Sequence, residues 1–337
     1  MIKKYCDIIK LKGSDVLSDK INNEHDLGYK SLLTHKKTFL EFLRDFVKKD
    51  WVNLIKEEDL VLIDKEFILE DFKEEEADIV YKVKIGDKDI IFYILLEMQS
   101  KVDFSMPIRL LMYMTELWRD ELKNTEKNIK KRKDFKLPSI FPIVLYNGEY
   151  NWTAARSFKE VLSGYELFED NIVDFKYMLF DVNRMDDEEL LDIATVISSV
   201  FSLDQSGIDD EEIIRRLKVI GRFIRMKATK DQSKIFRNWI VNILQNRLDG
   251  EMKSCIQDVF EKTSEMEVDD MVSNLGRNLE ESINKKVISA EMKKTVEIAK
   301  KFLRKGVSID IVMESTELSI DTIRKLKEDI EKENLRN

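Results

Sequence analysis

The sequence predicts an α/β core, ordered as a helix, a three-stranded meander, a helix and a strand, followed by an all-helical C-terminal region. Three observations carry this reading. Ten Gly and three Pro in 337 residues are roughly a third of the average usage of about 12%, so few backbone breakers imply long regular elements, mostly helices. Segments with strand character are confined to positions 60–182. From 186 to the end there is no Pro and every periodic segment reads as a charged amphipathic helix. The change of composition near 183–186 divides the chain into 1–185 and 186–337.

Residues 1–23 carry no firm pattern. From Glu24 to Phe46, the apolar positions Leu27, Leu32, Leu33, Phe39, Leu40, Phe42, Leu43 and Phe46 recur at roughly helical spacing. LVLIDKEFILEDF at 60–72 reads as one or two strands with charged edges. ADIVYKVKI, Gly86-Asp87 and KDIIFYILLEMQS then form a hairpin, because Gly at the first position of a two-residue loop suits a type II′ turn. If Ile85 faces Lys88, Asp78 lies opposite Leu95. Side chains alternate along a strand. One face therefore collects Ile79, Tyr81, Val83, Ile85, Ile90, Phe92, Ile94, Leu96 and Met98. The other collects Asp78, Lys82, Lys84, Asp89, Tyr93, Glu97 and Gln99, with Val80, Ile91 and Leu95 among them. A one-residue slip would destroy this segregation.

Met106–Leu122 follows as a helix, with Pro107 in its first turn. The basic stretch 123–136 leads into a buried strand, SIFPIVLY, and an Asn147-Gly148 turn. IVDFKYMLFDV at 172–182 is a further strand. The last segment, from 299 onward, reads as three helices in a helix-turn-helix-like tail. Gly306 suits a helix C-terminus, and Ser308 and Ser319 suit N-caps. Glu317 stands where such a turn usually has glycine, and packing or self-association is the reading of this tail preferred here over DNA recognition.

The rare residues narrow the chemistry. Cys6 and Cys255 are the only cysteines, and His25 and His35 the only histidines. Zinc ribbons, disulfide frameworks and three-His sites are excluded, so carboxylates, amides and lysines must carry any reaction. The longest strongly apolar run, Ile90–Leu96, is too short to span a bilayer. The start lacks the apolar core of a signal peptide. A soluble, cytoplasmic protein is expected. A net charge of −9 disfavours a broad nucleic-acid-coating surface and leaves room for local basic patches.

Two carboxylates on one hairpin face, offset by two positions, are close enough to share a divalent cation. Mg²⁺ asks for one or two carboxylates, water and phosphate oxygen, with no need of His or Cys. Asp, Glu and Gln on a strand's polar face are also ordinary solvent-facing groups, and spacing alone does not decide between the two. The order Asp78-x18-Glu97-x-Gln99 resembles the PD-(D/E)XK nuclease superfamily. HDLGYK at 25–30, DIVYKV at 78–83, ILLEMQS at 94–100, MPIRLLMYM at 106–114 and PIVLYNGEYNW at 142–152 resemble the Rpn family of recombination-promoting nucleases, also described as transposases.

That resemblance implies a restriction-endonuclease-like core and a Mg²⁺-dependent DNA endonuclease. Asp78 and Glu97 then match the metal-binding carboxylates. Gln99 falls where most superfamily members place Lys, and an amide cannot deliver a proton as an amine does. His25, Asp26 and Lys30 match the N-terminal signature, with Tyr29 in its aromatic place, and Met98 stands where relatives commonly show His. Arg109 and the run Lys130, Lys131, Arg132, Lys133 are candidate phosphate contacts; an Arg in an apolar helix more often snorkels or pairs locally, and a solvated connection explains the run equally well. Self-association through the C-terminal helices is expected. The rival reading is a non-catalytic nucleic-acid or protein-binding module on a decayed nuclease core.

Overall fold

The computed structural model describes residues 27–63, 79–85, 88–97, 102–168, 171–244, 246, 248, 250–261 and 268–334. The first expected helix is broken in two. Helix α1 covers 27–33, Thr34 and His35 interrupt it, and α2 runs Lys36–Phe42 before a π turn at Leu43–Val47. His35 adopts an extended backbone and its Nδ1 accepts from the Thr38 N–H. One of the two histidines thus works as an N-cap, and the restart explains the uneven apolar stripe.

Five strands form the sheet: β1 Leu60–Leu62, β2 Ile79–Ile85, β3 Lys88–Glu97, β4 Ser139–Tyr146 and β5 Met178–Asp181, in that spatial order. The first three are antiparallel neighbours, and β4 and β5 add in parallel. The hairpin has the expected register, with Ile85 opposite Lys88 and Ile79 opposite Ile94. Its turn, Gly86-Asp87, lies outside the described residues, as do 64–72 of the strand reading. Helix α3, Met106–Asn124, with Pro107 in its first turn, connects β3 to the parallel β4.

One expectation is sharpened and one needs correction. The hairpin's second face mixes polar and apolar residues as expected, and apolar positions on it are covered. Val80, Ile91 and Val144 are buried there beneath Met106, Leu110, Tyr113 and Leu117 of α3, and Lys82 meets Glu121 of α3 at 3.0 Å. Central strands covered on both faces read as nearly continuous apolar runs, which is how β3 and β4 read. The last strand is also shorter than 172–182. The Asp174 carboxylate accepts from Ser157 Oγ at 2.5 Å and from the Lys159 N–H at 3.1 Å. The Phe158 N–H donates to the Phe175 carbonyl at 2.9 Å beside a single Ser157–Lys176 bridge. This approach is thus tied to 157–159, and the ladder to β4 starts only at Met178.

The other sheet face carries the main core. Tyr81, Phe92, Ile143, Leu145 and Phe180 pack against Leu32, Leu33, Phe39 and Phe42, and the same cluster continues through Val196, Phe201, Leu217, Trp239 and Leu279. The helices beyond residue 186 are α4 Asp187–Ile193, α5 Val196–Asp204, α6 Asp210–Lys227, α7 Lys230–Trp239, α8 Gly250–Glu261, α9 Val268–Arg304, α10 Ile309–Thr316 and α11 Ile320–Asn334. Secondary structure changes at 186, whereas the apolar core runs across it. A separate small cluster joins Ala299 of α9 to Val312, Leu318, Ile323 and Leu326 in the tail. Among the described residues, no helix is long and apolar enough to cross a membrane.

Candidate active site

In an antiparallel pair, the start of one strand and the finish of the other share one end of the sheet. β2 begins at Ile79, opposite Ile94, and β3 runs on to Glu97, which pairs with Tyr146 of β4. The start of β2 at Ile79 and the position of Glu97 are therefore at the same sheet end. Asp78, Met98, Gln99, His25 and Asp26 lie outside the described residues. Glu97 is placed by its backbone in β3, and Lys30 by its place in α1.

Parallel pairing extends this end across the sheet. Glu97, Tyr146 and Asp181 stand in register at the ends of β3, β4 and β5, with neighbouring strands about 4.8 Å apart. Burial raises the Asp181 carboxyl above the ordinary Asp range, opposed by the Arg184 guanidinium at 3.4 Å. Sequence reasoning passed over Asp181, because one acid ending a short strand has no distinguishing pattern until the register is known.

A second group at this end was also invisible to spacing. Asp204, the last residue of α5, is fully buried. Tyr29 Oη donates to its Oδ2 at 2.8 Å, and Asn147 Nδ2 donates to the same oxygen. Asn183 Nδ2 in turn donates to the carbonyls of Asn147 at 3.1 Å and Gly148 at 3.0 Å. A buried carboxylate needs such donors, and here they tie α1, the end of β4 and α5 together. Tyr29, and α1 with it, is thereby anchored to the end of β4, beside the sheet end that carries Glu97. Gly148 packs so closely against Tyr146 that a Cβ at this position would overlap the Tyr146 phenol.

The basic candidates are dispersed. Arg109 Nη1 contacts Asp103 Oδ2 at 2.7 Å, and Asp103 also accepts from the Ser105 N–H and hydroxyl at 2.8 and 2.6 Å. Burial opposes ionisation of Asp103, but these bonds more than offset it and its carboxyl lies below the usual range. Lys130 Nζ donates to the Leu122 carbonyl at 2.6 Å, and Arg132 forks onto Asp134 at 3.0 and 2.7 Å. Lys131 and Lys133 are exposed. Among the described residues, no group of three or more His, Cys, Asp or Glu side chains is placed to hold a metal. Of the two expected metal carboxylates, only Glu97 is placed, by its backbone at the end of β3.

With this geometry in place, comparison with known proteins narrows the possibilities. The family described as "Putative transposase, YhgA-like" matches residues 23–246. The chain is 29% identical over 132 residues to recombination-promoting nuclease RpnD of Escherichia coli O157:H7, covering 38% of this chain and 48% of RpnD. It is 28% identical over 125 residues to recombination-promoting nuclease RpnC of Escherichia coli strain K12, covering 37% and 39%. A longer match, 20% identical over 304 residues, covers 88% of this chain and 95% of inactive recombination-promoting nuclease-like protein RpnE of strain K12. The chain thus spans less than half the length of the relatives named as nucleases. No solved structure matches it.

Proposed function

The chain belongs to the YhgA-like transposase family, and from that premise we propose that it is a divalent-metal-dependent DNA endonuclease that hydrolyses phosphodiester bonds. The observation that carries this reading is the convergence of the strand ends beside positions 78 and 97, set by the β2–β3 register. Asp78 and Glu97 would hold Mg²⁺, whose chemistry when bound is to polarise the phosphodiester and make bound water more acidic. Gln99 positions the attacking water through its amide, and Lys30, with His25 and Asp26, supplies phosphate-facing polar groups from the start of α1. The Tyr29–Asp204–Asn147 cluster keeps α1 seated while DNA binds. Lys131 and Lys133 add phosphate attraction without sequence information.

A supercoiled plasmid incubated with the protein and Mg²⁺ should be nicked, and EDTA should stop the reaction. Asp78→Asn and Glu97→Gln, near-isosteric changes that remove the charge, should each lower the rate at least a hundredfold without altering the circular-dichroism spectrum. A folded Asp78→Asn protein that nicks at the parental rate would refute the mechanism. The reading of a decayed, binding-only core has its own support. The relative matched over most of this chain is named inactive, and Gln99 replaces the usual lysine. Retained DNA binding with no Mg²⁺-dependent nicking by the parent protein would select it.

A further inference from the structure

The tail is built differently from the rest of the helical half. Helix α9 is 37 residues long. Its first turns bury Met271, Val272, Leu275 and Leu279 in the main core, and its last turns bury Ala299 beside Val296, Phe302 and Leu303 in the small tail cluster. Between them, Asn284, Lys285, Val287, Ile288, Ser289 and Glu291–Lys294 are exposed. This stretch is a helical spacer of roughly 18 Å at 1.5 Å per residue, and it carries the tail away from the main core.

Beyond the spacer, α10 and α11 are joined by three residues, Glu317, Leu318 and Ser319. Glu317 has φ +55°, the left-handed conformation that a glycine would adopt freely and that other residues adopt only at a cost. Val312, Leu318, Ile323 and Leu326 point inward, and Ser319 caps α11 by accepting from the Thr322 N–H at 3.3 Å. A short turn with a left-handed residue, between two helices packed on a third, is a helix-turn-helix arrangement.

The outward face of the second helix shows what it suits. Asp321, Arg324, Lys325 and Glu328 share one stripe at spacings of three and four residues, and all four are exposed. Every exposed residue of α11 from Asp321 to Asp329 is polar, whereas the centre of a protein interface is depleted in charge. Arg324, Lys325 and Lys327 are exposed, as are Lys301 and Lys305 at the end of α9. A uniformly basic helix would coat any nucleic acid. A stripe of donors flanked by carboxylates instead can discriminate base edges, since Arg and Lys pair with guanine and carboxylates accept from cytosine.

We propose that residues 296–334 form a sequence-reading helix-turn-helix that places α11 in the major groove of duplex DNA. Arg324 and Lys325 contact base edges, and Lys301 and Lys305 contact backbone phosphates. This site is separate from the sheet end and does not depend on cleavage there. The test selects binders from a random-sequence duplex library with full-length protein in EDTA, so that nicking plays no part. The parent should enrich one shared sequence. The Arg324→Ala, Lys325→Ala double variant should bind that duplex at least tenfold more weakly, with residual binding to unrelated duplexes reduced much less. Asp78→Asn should enrich the same sequence as the parent, which separates this result from the fate of the nuclease reading. Both substitutions are at exposed positions, and circular dichroism and light scattering check fold and assembly. Failure to enrich any sequence, or parental affinity in the double variant, overturns the proposal. A change in oligomeric state with unchanged DNA affinity overturns it too, and assigns α11 to protein contact.

Discussion

Arg216 is only 4% exposed, yet its charge is fully answered. Its Nε meets Glu212 Oε1 at 2.5 Å, Nη1 donates to the Ser202 carbonyl at 2.6 Å and Gln205 Oε1 at 2.7 Å, and Nη2 meets Asp187 at 3.0 Å. Arg215 donates to the same Glu212 carboxylate from Nε at 2.7 Å and Nη2 at 2.8 Å. These bonds, first from Arg215 and then from Arg216 against a burial penalty, pull the Glu212 carboxyl down to about 2. A folded value below the ordinary 4.5 means that the stabilisation is complete above pH 4.5 and is lost as pH falls from there toward 2. Thermal unfolding of the parent should therefore drop more steeply between pH 5 and pH 3 than that of Glu212→Gln, which has no carboxyl to titrate. Equal slopes for the two proteins would show that this carboxylate contributes nothing to acid sensitivity. None of this cluster was legible beforehand, because Arg216 reads as one more charge on an amphipathic helix. Asp204 was equally silent: its burial depends on Tyr29 and Asn147, partners 175 and 57 residues distant. Short-range periodicity exposed the strand register up to Glu97, because alternation along a strand is a local pattern.

At the scale of elements, the hairpin was legible because the alternation of β2 and β3 tolerates only one register. Helix crossings leave a weaker trace. Helices α6 and α9 meet at two glycines. A Cβ on Gly221 would overlap the Ser273 carbonyl oxygen, and one on Gly276 would lie 2.7 Å from the Lys218 amide nitrogen. The obstacles are backbone atoms, which cannot rotate aside, so the two helices approach closely because neither glycine has a side chain. Glycine normally weakens a helix by about 1 kcal/mol relative to alanine, and by helix propensity alone Gly221→Ala should stabilise. The crossing reverses the sign. Overpacking of a tight contact costs about 1–3 kcal/mol, so Gly221→Ala should lower the urea midpoint despite its better propensity. A midpoint at or above that of the parent would mean that the helices separate readily and that the contact carries little energy. In sequence, the two positions are 55 residues apart and look like ordinary helix-interior glycines. Only their convergence assigns them a role.

At the scale of the whole molecule, the composition change near 186 and the extent of the core lead to opposite expectations for truncation. The sheet's inner face is covered by Val196, Val200 and Phe201, and the same core continues through Ile220, Ile240, Leu275 and Leu279. The family likeness likewise runs across the change, from 23 to 246. A chain ended at Asn183 would keep Leu32, Leu33, Phe39 and Phe42 on that face but lose Val196, Val200, Phe201 and the rest of the helical core, exposing the large side chains they cover at roughly 1.5–3 kcal/mol each. It should therefore aggregate or remain unfolded, despite containing every strand of the sheet. Ending the chain at Thr295 is a different experiment. It removes Ala299, Val312, Leu318, Ile323 and Leu326, which pack with one another and form a cluster apart from the main core. The shortened protein should keep a cooperative main transition within about 3 °C of the parent, because a shift of that size corresponds to only about 2 kcal/mol in a chain of this length. Calorimetry on both truncations decides the matter. A fall of 10 °C or more for the chain ended at Thr295 would show that the tail braces the main body. A folded, cooperative 1–183 fragment would show that the strand-bearing half is stable without its helical cover.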